Sequence, residues 1–180
     1  FQKLGDKTFA KITLSADVSQ TKTQLDTFAT DAIGNIINYS GLYKDNSAQG
    51  KYALSAYVQH KFNARNNIKG GIRLYNYFFS LSDSFFRTDN NVLTNQPIGW
   101  VQPTNFEGRT TLIQTFVSDA YRINSKLDVT LGINHAYFTY NGASSLEPRA
   151  GISYKVSSKY KLSAGYGLHS QLAPFRVYFE

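Results

Sequence analysis

Apolar and polar residues alternate in one segment of the sequence after another, and this alternation limits the fold more than any other feature. Successive side chains of a β-strand point to opposite faces, so alternation gives a strand one apolar face and one polar face. Between Thr8 and Val18, the even positions from Ala10 onward are apolar and the odd positions are mostly polar. The pattern predicts seven strands and the start of another, at 8–18, 51–62, 68–81, 109–121, 127–140, 149–156, 160–168 and 175–180.

The fourth predicted strand, 109–121, has apolar residues on both faces. The other predicted strands each have one clearly apolar side. The orientation of 109–121 therefore stays open between two sets of residues: Leu112, Phe116 and Ala120, or Ile113, Val117 and Tyr121.

The connections between the predicted strands alternate between short and long. Loops longer than about 12–15 residues are uncommon in compact domains. Outer-membrane β-barrels are an exception, because their periplasmic turns are short and their outer loops are long. The alternation favours an all-β, antiparallel up-and-down transmembrane β-barrel. Short turns are predicted at 63–67, 122–126 and 157–159, long loops at about 19–50 and 83–108, and a moderate loop at 141–147.

Strand length and composition agree with this interpretation. A tilted strand crosses a bilayer in about 9–11 residues, roughly the length of each predicted strand. Charged residues make up 17% of the sequence, below the roughly 25% that is usual for soluble domains. A soluble antiparallel barrel such as a lipocalin is the alternative, but it would not need long loops at one end only.

Seven strands alone would leave two free sheet edges, and unpaired backbone groups in hydrocarbon cost several kcal/mol each. The start at Phe1 has neither an initiator methionine nor a signal-peptide pattern. We therefore expect residues 1–180 to be a partial barrel domain and an internal fragment of a larger barrel, without signal peptide.

The net charge of +7 does not indicate nucleic-acid binding, because the basic residues fall singly on turns and polar strand faces. The sequence contains no cysteine, which excludes disulfides and thiolate metal sites. The three histidines, His60, His135 and His169, lie far apart without metal-ligand spacing or an oriented nucleophile. The sequence therefore predicts neither an enzyme nor a metal or other cofactor.

The last third of the chain carries a family resemblance. The segments LDVTLGIN (127–134), LEPRAGISY (146–154) and AGYG (164–167) occur in this order, followed by Ser170, Gln171 and Pro174. Together, residues 116–174 resemble the C-terminal half of TonB-dependent receptor barrels, although Asn134 stands where that family commonly has arginine. The abundance of Tyr and Asn is similar to receptors of the Bacteroidetes.

The resemblance implies a 22-stranded barrel in the outer membrane of a Gram-negative bacterium, filled by a plug domain that lies outside these residues. It implies TonB-driven uptake of a scarce nutrient, which would be an iron or cobalamin chelate, a glycan or a peptide. The implied partners are membrane lipid, the plug domain, the TonB complex and a surface lipoprotein. The alternative is another outer-membrane barrel: a secretion or assembly pore, an adhesin or a barrel enzyme.

Two groups of residues are candidates for function. Exposed aromatic residues among polar ones suit a sugar, chelate or peptide, and the predicted loop 83–108 concentrates them. A loop that packs on itself and shields the barrel mouth is the alternative. The substrate-binding candidates are Phe85, Phe86, Arg87, Trp100 and Phe106.

Basic residues on the polar strand faces form the second group. They could contact an acidic plug surface or steer an anionic substrate, and the first interpretation is favoured. The candidates are Arg73, Arg149, Lys155 and Lys161.

Overall fold

The computed structural model describes residues 2–88 and 97–178. These residues form one sheet of eight antiparallel strands, in which neighbours along the chain are neighbours in the sheet. Within the described residues, no helix has the length and apolar character needed to cross a membrane. The strands are β1 (Gln2–Gly5), β2 (Thr8–Thr30), β3 (Ile36–Lys61), β4 (Asn66–Thr88), β5 (Pro97–Arg122), β6 (Leu127–Phe138), β7 (Ala143–Lys155) and β8 (Lys161–Gly167), and a 3-10 helix follows at Phe175–Tyr178.

The seven predicted strands are confirmed, but the predicted long loops at 19–50 and 83–108 are wrong. Strands β2 and β3 continue to a turn at 31–35, and β4 and β5 extend far into the second loop. Residues 89–96 lie outside the described part. The extensions are mostly polar, and their backbone ladder forms without the apolar alternation by which the strands were predicted.

Two smaller predictions are also wrong. The predicted loop at 141–147 is shorter, because β7 begins at Ala143. The predicted strand at 175–180 begins instead as the 3-10 helix, and residues 179–180 lie outside the described part. Pro174 precedes this helix, and its carbonyl oxygen accepts a 3.0 Å hydrogen bond from the Val177 N–H. A proline with fixed φ favours such a turn.

The chain divides into two compact units. Unit 1 comprises 1–16, 52–77 and 110–172, which includes the three short turns predicted from the sequence. Unit 2 comprises 17–51, 78–109 and 173–180.

The strand register in unit 1 resolves the orientation of β5. Val117 pairs with Ile133, and Tyr121 pairs with Val129. Paired residues of an antiparallel ladder share one face of the sheet. The apolar face of β5 therefore carries Ile113, Val117 and Tyr121, although Asp119, opposite Leu131, departs from the pattern.

The apolar face is exposed. Leu131, Leu162 and Tyr166 are 58%, 66% and 74% exposed. Few hydrophobic side chains among the described residues are buried: Phe79, Leu81, Ala136 and Phe138. A soluble barrel hides its apolar strand faces in its own centre, so this exposure contradicts the soluble alternative.

In each of the three short turns predicted from the sequence, one side-chain oxygen accepts hydrogen bonds from two backbone N–H groups. The Asn63 Oδ1 atom accepts hydrogen bonds from the Arg65 and Asn66 N–H groups at 2.7 and 2.9 Å. Asn124 and Ser157 make the same pair of contacts two and three residues further on. Such side-chain bonds satisfy turn backbone groups and fix where the next strand begins.

In unit 2, Asp31 organises the turn between β2 and β3. Its Oδ1 atom accepts hydrogen bonds from the Ile33 and Asn35 N–H groups at 3.0 and 2.8 Å, and Oδ2 accepts from the Asn35 side chain. Gly34 has a φ of 90°, which L-residues with side chains rarely adopt. The hydrogen bond from the Asn35 amide, aided by the backbone donors, lowers the pKa of Asp31.

Candidate functional site

Trp100 on β5 is the centre of a contact group in unit 2. Phe86 on β4 meets the indole edge to face, with ring centroids 5.9 Å apart. The Lys44 Nζ atom on β3 lies 4.4 Å from the centroid of the indole. A Cβ atom at Gly41 would lie 2.8 Å from the indole Cζ2 atom, so a larger residue would push the ring away from β3. These four residues are called the Trp100 cluster.

The Trp100 cluster places a positive charge beside an accessible aromatic surface. Trp100 is 43% exposed, although its indole lies against residues of both β3 and β4. A cation over the indole face is attracted by the ring quadrupole, by about 0.5–1 kcal/mol at exposed sites. A planar ligand with negative charge could stack on the Trp100 indole and pair with the Lys44 ammonium group.

The structure brings together only some of the predicted substrate-binding residues. Phe86 and Trp100 are in contact, whereas Phe106 stacks on Phe79 with ring centroids 5.7 Å apart. Phe85 and Arg87 are exposed on β4. The five candidates lie on paired strands rather than in a loop.

Polar contacts explain why the predicted loop is a pair of strands. The Thr104 N–H donates to the Asp83 carboxylate at 3.2 Å. The Gln102 amide donates to the Ser82 hydroxyl at 3.0 Å. These bonds join β4 to β5 within unit 2, and they carry no apolar signal that sequence periodicity could detect.

On the polar face of unit 1, two basic residues lie against aromatic rings. The Lys69 Nζ atom is 4.0 Å from the ring centroid of Tyr57 and 5.8 Å from that of Phe116. The Arg73 guanidinium carbon is 4.7 Å from the Phe116 centroid. The predicted residue Arg73 is therefore held on the sheet surface by cation–π contact.

The second predicted arginine, Arg149, belongs to a buried polar network around Glu147. Glu147 is 3% exposed. It accepts hydrogen bonds from Arg149 at 2.8 Å, from the Asn134 amide at 3.0 Å and from the Ser170 N–H at 2.9 Å. The Ser170 hydroxyl also donates to Glu147. Glu147 thus ties the segment after β8 to the polar face of β6 and β7.

A cavity of about 370 Å³ on unit 1 joins these residues, and Lys69, Arg73 and Arg149 line it. Lys155 and Lys161, the other two predicted residues, are paired directly opposite each other in the β7–β8 ladder. Like charges opposite each other repel, which favours an acidic group between them.

The histidines form no catalytic or metal-binding group in the described part of the chain. His60 contacts the Thr8 hydroxyl at 2.7 Å, and His135 contacts the Ser144 hydroxyl at 2.8 Å. No group of three or more potential metal-ligating side chains occurs among the described residues.

Comparisons with known proteins show the fold. No protein-family model and no curated protein gives a significant match. A chain of the FpvAI–pyocin S2 complex matches 89% of this chain with a TM-score of 0.63 and 14% identity. The ferric-catecholate import receptor Fiu from E. coli K12, in its open form, matches the same share with a TM-score of 0.55 and 14% identity. The chain has the barrel fold of TonB-dependent receptors.

The chain covers 24% and 28% of those two structures, so it spans about a quarter of a receptor of this fold. One of the two, Fiu, is an import receptor by its name. The sequence does not single out Gly41, Lys44 or Phe79. Gly41 and Lys44 lie in a strand extension without apolar alternation, and Phe79 is an apolar strand residue without a distinctive motif.

Proposed function

We propose that the chain is part of the translocation barrel of a TonB-dependent receptor that takes up a scarce nutrient across the outer membrane of a Gram-negative bacterium. One observation carries the proposal: the sheet matches receptor barrels while its apolar face is exposed. Exposed leucine and tyrosine on every other residue suit contact with lipid. The polar face then borders the lumen.

In this proposal residues 1–180 are a partial barrel domain, and other parts of the protein provide the remaining strands and the plug. Closure is required because an open sheet edge in hydrocarbon leaves backbone groups unpaired. The cavity lined by Lys69, Arg73 and Arg149 favours an acidic plug surface. The TonB complex and a surface lipoprotein are the further proposed partners.

Among the candidate nutrients, an anionic iron chelate is the first choice. One similar structure is named a ferric-catecholate import receptor. The Trp100 cluster supports this choice, because it combines an exposed indole with the Lys44 ammonium group. We propose that Trp100, Phe86 and Lys44 contact the ligand.

The test uses the full-length gene in its host. Deletion should abolish growth on the transported chelate under iron limitation, and collapse of the proton gradient should stop uptake of the labelled chelate. Trp100→Ala should weaken binding about tenfold, in line with the loss of one stacked and one cation–π contact. Phe106→Ala is the matched control, because Phe106 stacks on Phe79 outside the cluster. Energy-independent conductance without chelate uptake would contradict the proposal.

A further inference from the structure

The positive charge of the protein collects at the short-turn end of unit 1. The ranges 3–7, 61–66, 122–128 and 155–161 contain nine lysines and arginines but only two aspartates. The excess of seven equals the net charge of the whole chain, +7. The rest of the sequence is neutral in sum.

Backbone hydrogen bonds hold these turns side by side. The Lys61 N–H donates to the Lys7 carbonyl, and the Arg122 N–H donates to the Arg65 carbonyl, both at 2.8 Å. The Lys155 N–H donates to the Lys126 carbonyl at the same distance. The four turns therefore form one edge with fixed spacing, called the basic edge.

The basic edge is accessible and poorly neutralised. All nine basic side chains belong to exposed residues. Asp6 pairs with Lys3 at 3.0 Å, and Asp128 pairs with Arg122 at 3.1 Å. Seven cations in these turns have no ion pair within the described residues. Their mutual repulsion favours an external anion.

Each turn also carries an exposed apolar residue directly after a basic one. Leu4 is 58% exposed, Phe62 56%, Ile123 42% and Val156 50%. Tyr160, between Lys159 and Lys161, is 71% exposed. These residues continue the exposed apolar face to the edge of the sheet. Basic residues beside aromatic and aliphatic ones are typical of surfaces at the headgroup level of a bilayer.

The cations of the basic edge divide into two groups. Lys61 and Lys161 line a concave cavity of about 750 Å³ on unit 1. Lys126 and Lys159 do not line that cavity, and they lie in the turns that carry Ile123 and Tyr160. The second group is therefore placed to meet lipid.

We propose that Lys126 and Lys159, together with Ile123, Val156 and Tyr160, bind anionic phospholipids in the bilayer leaflet on the short-turn side. The inference rests on the proposed membrane barrel. A lipid matches both halves of the surface, because its phosphate meets the ammonium groups while its acyl chains meet the apolar residues. An acidic protein segment would match only the charge.

The experiment measures binding of fluorescent phosphatidylglycerol to the full-length protein in neutral detergent, with phosphatidylcholine as the uncharged reference. Each lysine near an anionic lipid surface contributes about fivefold in affinity. K126Q/K159Q should therefore weaken phosphatidylglycerol binding about 25-fold and leave phosphatidylcholine binding unchanged. K61Q/K161Q, which also removes two lysines, should change binding less than twofold. K126R/K159R should retain wild-type binding.

Unchanged phosphatidylglycerol binding by K126Q/K159Q would overturn the inference. A loss confined to K61Q/K161Q would also overturn it, in favour of an acidic ligand in the cavity. Heat-dependent gel mobility shows whether the lipid site alone or also the proposed membrane barrel is wrong. A wild-type protein without barrel-like mobility contradicts the membrane barrel, whereas a normal barrel with unchanged lipid binding contradicts only the lipid site.

Discussion

At the scale of single residues, glycine positions decide how closely side chains approach the sheet. Gly41 leaves room for the indole of Trp100, whose Cζ2 and Cη2 atoms would lie 2.8 and 3.1 Å from an added Cβ atom. The Trp100 ring must therefore move if Gly41 is replaced by alanine. The aromatic surface of the Trp100 cluster depends on a residue that has no side chain.

We expect Gly41→Ala to weaken binding of the transported ligand about tenfold, because the displaced indole loses its position beside Lys44. The measurement is the dissociation constant of the transported ligand from the full-length protein. Gly151→Ala is the control, since its Cβ atom would meet only ordinary contacts at 3.8 Å or beyond. Equal affinity of the Gly41→Ala and wild-type proteins would exclude the cluster as a binding site.

A second residue-scale prediction concerns Asp31. Its hydrogen bonds from Asn35 hold the pKa of the folded carboxyl below the ordinary value of about 3.9. The stabilisation of the turn is therefore complete above the ordinary pKa and disappears as pH falls through the lower, folded pKa. An NMR titration of the Asp31 carboxyl should show the depressed pKa, and Asn35→Ala should raise it. Titration at the ordinary value in the wild type would contradict the turn geometry.

At the scale of elements, Glu147 connects β7 to the segment that follows β8. We expect Glu147→Ala to speed amide hydrogen exchange in residues 168–172 at least tenfold, because buried donors lose their acceptor at about 1–3 kcal/mol each. Exchange in the centre of β6 should change little. Glu107→Gln is the control, since Glu107 is an exposed β5 residue whose carboxylate accepts a hydrogen bond from the Ser80 hydroxyl. Equal exchange rates in the two variants would contradict the conclusion that Glu147 holds residues 168–172 against β7.

The sequence predicts those elements whose stability depends on apolar alternation. The centres of β2 to β8 meet this condition, and the short turns around Asn63, Asn124 and Ser157 are predicted as the breaks between them. The strand extensions do not, because polar pairs such as Gln102 with Ser82 hold them. The same limit applies to the site. Trp100 and Phe86 were predicted as binding residues because they are aromatic. Gly41 and Lys44 could not be predicted, because only the strand pairing brings them to Trp100, and the sequence did not reveal that pairing.

The two faces of β6 give a matched prediction at the element scale. Leu131 lies on the exposed apolar face and its neighbour Thr130 on the polar face. Leu131→Arg should destabilise the membrane-inserted protein by about 2–4 kcal/mol, as expected for arginine near the bilayer centre. Thr130→Arg should cost much less. Urea unfolding of the reconstituted protein checks both, and equal destabilisation would contradict the assignment of faces.

At the scale of the whole molecule, we propose that the chain is one part of a larger barrel. It spans about a quarter of the receptors whose fold it shares, and its outermost strands β1 and β8 each have a single neighbour among the described strands. Such edges are not stable in hydrocarbon, so the proposed receptor needs further strands to close the barrel. In the proposed receptor, the apolar face contacts the bilayer core, the cavity lined by Lys69, Arg73 and Arg149 opens to the lumen, and the basic edge lies at the headgroups.

The orientation of the apolar face toward lipid is tested by a spin-label scan along β6 in the full-length protein, reconstituted in lipid bilayers. Labels at Val129, Leu131 and Ile133 should be accessible to oxygen, which dissolves in hydrocarbon, and labels at Asp128 and Thr130 to a water-soluble nickel chelate. We expect accessibilities that alternate with a period of two residues. Accessibility without that period, or with the two faces exchanged, would contradict the claim that the apolar face contacts lipid.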